Sequence, residues 1–293
     1  MEPSQTSQAT LELPIPRLAE GRFASIVAYT DEALFDACGV RIAFTERGGG
    51  ESQAPFDSLN LGSHVGDCLE VVLANREHLL SALGFEGACL VVPTQVHGDK
   101  IISFDTTEEA EALLSCSGEH PETLECDAIS VTCDNVAAQL NFADCVPVIA
   151  VAPTGDFSVI HAGWRGVDNQ ISAKAVEQLA HDVAERTGLS PEQVCAQTNI
   201  YIGPHIMGEC FETSEEIHDE FVRKFGSACD VDARHVELSQ ALICQLLRTG
   251  VVRERIVPLG LCTVCNNDRF FSYRGQGGVC GRHGAFAARK PKE

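Results

Sequence analysis

Three short stretches carry reactive side chains out of an apolar run and into glycine or proline: Gln95-Val96-His97-Gly98, Ala143-Asp144-Cys145-Val146-Pro147 and His161-Ala162-Gly163-Trp164-Arg165-Gly166. Each takes a soft or borderline metal ligand from a predicted strand into a loop, where α/β proteins place their chemistry. His97, Cys145 and His161 together offer two imidazoles and a thiolate. Zinc accepts that set, and three protein donors leave the open position of a catalytic site. Zinc held there lowers the pKa of a bound water or polarises a substrate. The same residues admit a metal-free chemistry, with Cys145 as nucleophile and His161 as its base. Their wide spacing does not choose between these readings, and residue type alone favours a buried thiol or a hydrogen-bonded loop histidine at each position.

Anion binding is the second chemistry in view. Arg47 precedes Gly48-Gly49-Gly50, and Arg274 precedes Gly275-Gln276-Gly277-Gly278. Neither stretch matches a Walker loop or a dinucleotide fingerprint, but an arginine beside flexible backbone can grip phosphate with two parallel bonds. Arg165 follows His161 by four residues, which puts a guanidinium within reach of any site built on His161. The tight pair Cys262-Thr263-Val264-Cys265 lacks a second pair to complete a closed zinc site, so Cys265 reads as an ordinary thiol and Cys262 stays open.

These residues need a frame. Cys89 to Val92, Ala128 to Thr132, Val136 to Leu140, Val146 to Val151 and Phe157 to His161 are short apolar runs, read as strands buried on both faces. Helices are expected over Leu69 to Leu83, from Ile171 through Val183 to a stop at Gly188, after a capping box of Thr213 and Glu216, and over Ser239 to Thr249. Strands mixed with amphipathic helices predict an α/β (α+β) domain with helices covering central sheets. Residues 1–20 read as a flexible leader, 21–288 as one catalytic domain, 289–293 as a frayed tail, and Thr107 to Pro121 as an acidic surface insertion.

Composition narrows the partners. The formal net charge is −21 over 293 residues, which argues against nucleic acid and anionic membranes as partners. No apolar run reaches the roughly 18 residues of a membrane helix. The start of the chain is polar and lacks the order of a secretion signal. The 14 cysteines therefore read as reduced thiols of a cytoplasmic protein.

The segments QVHGDKI, NFADCVPVIAV, HAGWRGV, YIGPHI and CTVCNNDRFFSYRGQGGVCGR, in that order, resemble the YfiH family, also called the laccase-domain, multicopper polyphenol oxidase or DUF152 family. The upstream FTERGGGESQAPFDSLNLGSHVGD stretch is similar to that family's N-terminal motif, although TERGGGES is one residue longer than the usual TxRxGGxS. The resemblance runs from about Arg41 to Arg282. It implies a single α/β domain of the cysteine-hydrolase-like sandwich type. It implies phosphorolysis of adenosine, inosine and S-methyl-5'-thioadenosine, some adenosine deamination, and zinc on His97, Cys145 and His161. Phosphorolysis needs an anion held against the anomeric carbon, and Arg47, Arg165 and Arg274 are the candidates for it. The copper of the family label fits poorly, because the ten histidines are dispersed rather than clustered. Two other functions are open: an amide hydrolase editing peptidoglycan precursors, and a non-catalytic zinc or nucleoside sensor.

Overall fold

The apolar runs form strands that need cover on both sides, and the fold supplies it in four layers. The computed structural model describes residues 12–116 and 124–291. In chain order the strands are β1 (Ala19–Phe23), β2 (Ile26–Thr30), β3 (Val40–Thr45), β4 (Cys89–Val91), β5 (Ile101–Phe104), β6 (Ala128–Val131), β7 (Val136–Phe142), β8 (Val146–Val151), β9 (Phe157–Ala162), β10 (Asn199–Ile202), β11 (Asp230–Asp232), β12 (His235–Val236), β13 (Ile256–Pro258) and β14 (His283–Arg289). The helices are α1 (Glu32–Cys38), α2 (Leu69–Ala82), α3 (Thr107–Cys116), α4 (Trp164–Asp168), α5 (Ile171–Thr187), α6 (Pro191–Gln197), α7 (Glu215–Phe225) and α8 (Leu238–Arg248).

Two six-stranded mixed sheets result, in the orders β1-β2-β3-β14-β7-β4 and β13-β10-β8-β9-β6-β5. Alternation along β8 shows why the runs are continuous. Val146, Val148 and Ala150 face the helix-covered core with Leu179, Phe221 and Leu242, while Ile149 and Val151 face the other sheet's Phe44, Leu140 and Phe142. The first sheet turns its outer face to Leu79, Leu80 and Leu83 around α2. The expected α/β single domain with helices over central sheets is what forms. No helix of the described residues is long and apolar enough to cross a membrane.

Several expected boundaries move. Leu13 is buried, the Arg17 N–H donates to Asp31, and β1 begins at Ala19, so the described part of the expected leader packs onto the body; residues 1–11 lie outside the described ones. Arg289 is not tail. It ends β14, is 4% exposed, and pairs with Asp134 and with the fully buried Asp156. The acidic insertion begins as a helix, α3, while Glu119 and Pro121 fall outside the described residues. The helix expected after Thr213 is capped by Ser214, whose side chain accepts from the Ile217 N–H. Thr213 is held back because its N–H pairs with the Arg234 carbonyl at 2.8 Å.

Candidate active site

The order of the second sheet brings three segments together at one end of its strands. β8 and β9 run antiparallel with Val146 opposite Ala162, so Cys145, just before β8, lies beside the end of β9 and its His161. β6 flanks β9 on the other side, and the His161 N–H donates to the Asp127 carbonyl just before β6, at 2.7 Å. His97 comes from the loop between β4 and β5. The donor atoms of His97, Cys145 and His161 all lie within 4.8 Å of one another.

One buried carboxylate organises this group. Asp127, fully buried, accepts the His161 Nδ1–H at 2.8 Å and the His97 backbone N–H at 3.0 Å through Oδ1, and the Gly98 N–H at 2.7 Å through Oδ2. The ring of His161 is thereby fixed with its proton on Nδ1, leaving Nε2 as the donor for a metal or a partner for the thiol. Burial opposes the Asp127 charge, but the bonds from His161, Gly98 and His97 outweigh it and hold the carboxyl below its usual range.

Charge is concentrated on sulfur and imidazole. Burial alone would raise the Cys145 thiol, yet the charge and hydrogen bonds of His161 and then His97 pull it well below the ordinary thiol range. Burial disfavours imidazolium at His161, but Cys145 and Asp127 drive its pKa up. Cys126, beside Asp127 and without such partners, is pushed by burial to about 12. The cluster therefore favours a thiolate, and so a metal ligand or a nucleophile.

Two of the loops hold a residue in the left-handed backbone region, His97 at φ 58° and Asp144 at φ 91°. Such backbone persists where surroundings over-determine it. Asp144 accepts from Thr263 Oγ1 at 2.6 Å and from the Arg274 N–H at 2.6 Å, which clamps the Cys145 loop to the segment after β13. Gly163 has a different reason to be glycine. A methyl built on it would lie 3.0 Å from His97 Cδ2, 3.2 Å from Cys145 Sγ and 3.8 Å from His161 Cε1.

The cluster opens on a cavity of about 490 Å³, the size of a small-ligand pocket. Its walls include the aromatic rings of Trp164, Phe211 and Tyr273 and the basic side chains of Arg274, Arg282 and His64. Of the three arginines expected at an anion site, Arg274 lines this cavity and the other two do not. Arg47 lies outside the lining, with its donors on the carbonyls of Asp57 and Asn267, each at 2.9 Å, and a pair to Asp57 at 3.3 Å; within the lining, Arg274 donates to the Cys210 and Glu212 carbonyls at 3.4 Å and Arg282 to the Cys280 and Gly281 carbonyls at 3.0 and 2.9 Å. Arg165 is exposed and lies over the Trp164 ring, 4.3 Å from its centre. A helix starts at Trp164, so consecutive side chains diverge by about 100°, and Trp164 rather than Arg165 faces the cavity.

Asp127, Gly163, Arg282 and His64 were not identified from sequence as parts of the site. Asp127 and Arg282 carried a usable signal: each stands immediately before an apolar strand, as Cys145 does.

The geometry can be set against known proteins. Residues 41–290 match the family described as multi-copper polyphenol oxidoreductase laccase. The chain belongs to this family. It is 30% identical over 255 residues to the purine nucleoside phosphorylase YlmD of Bacillus subtilis, covering 84% of this chain and 87% of that one. It is 30% identical over 253 residues to adenosine deaminase RL5 from an unknown prokaryotic organism, covering 83% and 92%. The crystal structure of YlmD from Geobacillus stearothermophilus superposes with a TM-score of 0.77 at 27% identity, covering 94% of this chain and all of the other. Members of the family thus carry names from nucleoside chemistry as well as the copper label. A multicopper centre needs several histidine-rich clusters. Among the described residues, His97, Cys145 and His161 form the one donor group that contains histidine.

Proposed function

We propose that the chain is a zinc-dependent purine nucleoside phosphorylase of the reducing cytoplasm, acting on adenosine, inosine and S-methyl-5'-thioadenosine, with adenosine deamination as a side activity. One observation carries the reading. A three-donor thiolate–imidazole set opens on a cavity that also holds two arginines and three aromatic rings. The names of the relatives point the same way. The thirteen cysteines whose side chains are described form no disulfide, which suits a reducing compartment.

Phosphorolysis breaks the bond from the purine nitrogen to the anomeric carbon and forms one from that carbon to a phosphate oxygen. The purine leaves with the electron pair and takes up a proton. Arg274 and Arg282 hold the phosphate with their guanidinium forks. Trp164, Phe211 and Tyr273 pack against the purine and exclude water from it. His97, Cys145 and His161 would hold zinc, and the fit is good: one soft and two borderline donors, a carboxylate orienting one ring, and a glycine leaving room. When bound, zinc polarises a substrate oxygen or lowers the pKa of a water for deamination.

The test is adenosine with and without inorganic phosphate. Adenine plus ribose 1-phosphate, formed only with phosphate, supports the reading. Inosine as the sole product makes the deaminase activity primary, and no turnover of any purine nucleoside refutes the assignment.

A second reading has its own support. Asp127, His161 and Cys145 also compose a carboxylate–imidazole–thiol series, which is the wiring of a cysteine hydrolase acting on amides. His97 on the same sulfur has no place in that series but is a natural third metal donor. Chelation separates the two: a metal enzyme loses turnover as Cys145 becomes open to alkylation, whereas a thiol hydrolase keeps its turnover and is alkylated from the outset.

A further inference from the structure

Cys262-Thr263-Val264-Cys265 lacks partners along the sequence, but the fold supplies them. The Thr263 N–H donates to the His205 carbonyl at 3.0 Å and the His205 N–H to the Leu261 carbonyl at 3.3 Å, zipping the segment after β13 to the segment after β10. A tight turn follows on the second segment, with the Cys210 N–H on the Met207 carbonyl at 2.9 Å. This pairing brings Glu209 and Cys210 onto Cys262 and Cys265, with all four donor atoms within 4.8 Å of one another.

We infer that Glu209, Cys210, Cys262 and Cys265 form a second, closed site for a thiophilic divalent cation, with zinc the best fit, that fixes the wall of the cavity. The distances match such a site. In a tetrahedron with Zn–S bonds of about 2.3 Å, two sulfurs stand about 3.8 Å apart. Cys210 Sγ and Cys265 Sγ are separated by 3.6 Å, and Cys265 Sγ and Glu209 Oε1 by 4.0 Å. The turn geometry also fits. The Asn266 N–H closes the Cys262–Asn266 turn on the Cys262 carbonyl at 3.0 Å, and the Met207 N–H points at Cys262 Sγ from 3.5 Å. Four protein donors leave no position for substrate, which is the mark of a structural site. Binding releases the thiol protons as the sulfurs ligate, so no redox partner is needed.

The site's neighbours give it a role. Phe211, next to Cys210, lines the cavity, and Arg274 donates to the Cys210 carbonyl at 3.4 Å. Thr263, next to Cys262, holds Asp144, which precedes Cys145. A cation here therefore ties together Phe211, Arg274 and the loop of the first cluster. The inference stands whether or not the cavity processes nucleosides.

The full chain, purified without chelator and loaded with zinc, should contain about two zinc ions per chain by elemental analysis and native mass spectrometry. The Cys210→Ser/Cys265→Ser double variant should contain about one, with the first site retained, and Cys145→Ala should also contain about one. Because the double variant risks misfolding, cobalt exchange of Cys145→Ala provides a second readout. Its cobalt form should show intense sulfur-to-metal charge-transfer absorption and tetrahedral bands from three thiolates. One zinc per chain that disappears in Cys145→Ala would overturn the inference. So would a cobalt-treated Cys145→Ala without thiolate charge transfer, or a Cys210–Cys265 disulfide mapped in the purified chain.

Discussion

The two donor clusters lie on either side of the hydrogen bond between Thr263 and Asp144, and they are framed differently. Cys145 and His161 stand at strand ends of a sheet buried on both faces, and His97 joins them from the loop between β4 and β5. Asp127, itself buried, holds the His161 ring and the His97 backbone, and all three donors line the cavity. Glu209, Cys210, Cys262 and Cys265 sit on two turns nearer the surface, with Glu209 and Cys265 exposed and the Met207 N–H directed at Cys262 Sγ. The first set has three donors and an opening, the second four donors and none. A rigid frame with one free coordination position suits chemistry, because donors must hold their geometry while substrate changes. A closed set on turns suits the joining of loops that the sheets do not reach.

The sharpest way to break this contrast is Cys145→Ala. Outer partners of a metal donor are worth about 10–100-fold, so removal of a donor itself should lower kcat/KM by more than about 100-fold. Elemental analysis of the same sample should find the second cluster still loaded. Asp127→Asn comes next. It keeps the shape but removes the charge that fixes His161, and should cost about 10–100-fold in metal affinity, read by chelator competition. Wild-type affinity in that variant would mean Asp127 is mere packing. Arg282→Ala and Arg274→Ala should each raise the KM for phosphate by about tenfold or more, the scale of a lost charged hydrogen bond. Arg165→Ala should change it by less than about twofold, since that guanidinium rests on Trp164 outside the cavity. The reverse ranking would move the anion site out of the cavity.

Gly163→Ala sharpens the comparison by touching one cluster only. The added methyl must push His97 or Cys145 by a few tenths of an ångström, and kcat should fall about tenfold with the fold intact. The smallest effect belongs to Arg223→Ala. Arg223 pairs with Glu220 on the open face of α7, with both side chains largely exposed, and its loss should leave activity and melting temperature within error. Arg289 cannot serve as such a control. Its buried pair with Asp156, beside one with the part-exposed Asp134, makes Arg289→Ala a folding variant, expected to lose about 3–5 kcal/mol.

Five strands, β4 and β6 to β9, and four helices, α2, α5, α7 and α8, were legible because their signal is periodic and local, whereas strands such as β3, β10 and β14 were not read. β8 was read at its observed boundaries, and α5 follows its four-residue stripe to Gly188, whose φ of 79° closes the helix. The capping position slipped by one residue because Thr213 and Ser214 are both able caps, and only the pairing of Thr213 with Arg234 decided between them. Arg289 looked like tail because charge at a chain end is normally solvated. Its partners lie 133 and 155 residues away in sequence.

The sequence by itself determined the residue types with chemistry, the loops that carry them, and, through its motifs, the family. Only tertiary structure decided which of them meet. Strand order set Asp127 and Cys145 on either side of His161, a parallel bridge carried Cys262 to Cys210, and the turn into α4 aimed Trp164 rather than Arg165 at the cavity. Propensity and periodicity act over a few residues, whereas a site is a set of distances between segments far apart in the chain. Those distances are fixed by which apolar faces bury each other, and that information lies in the packing rather than in any one stretch.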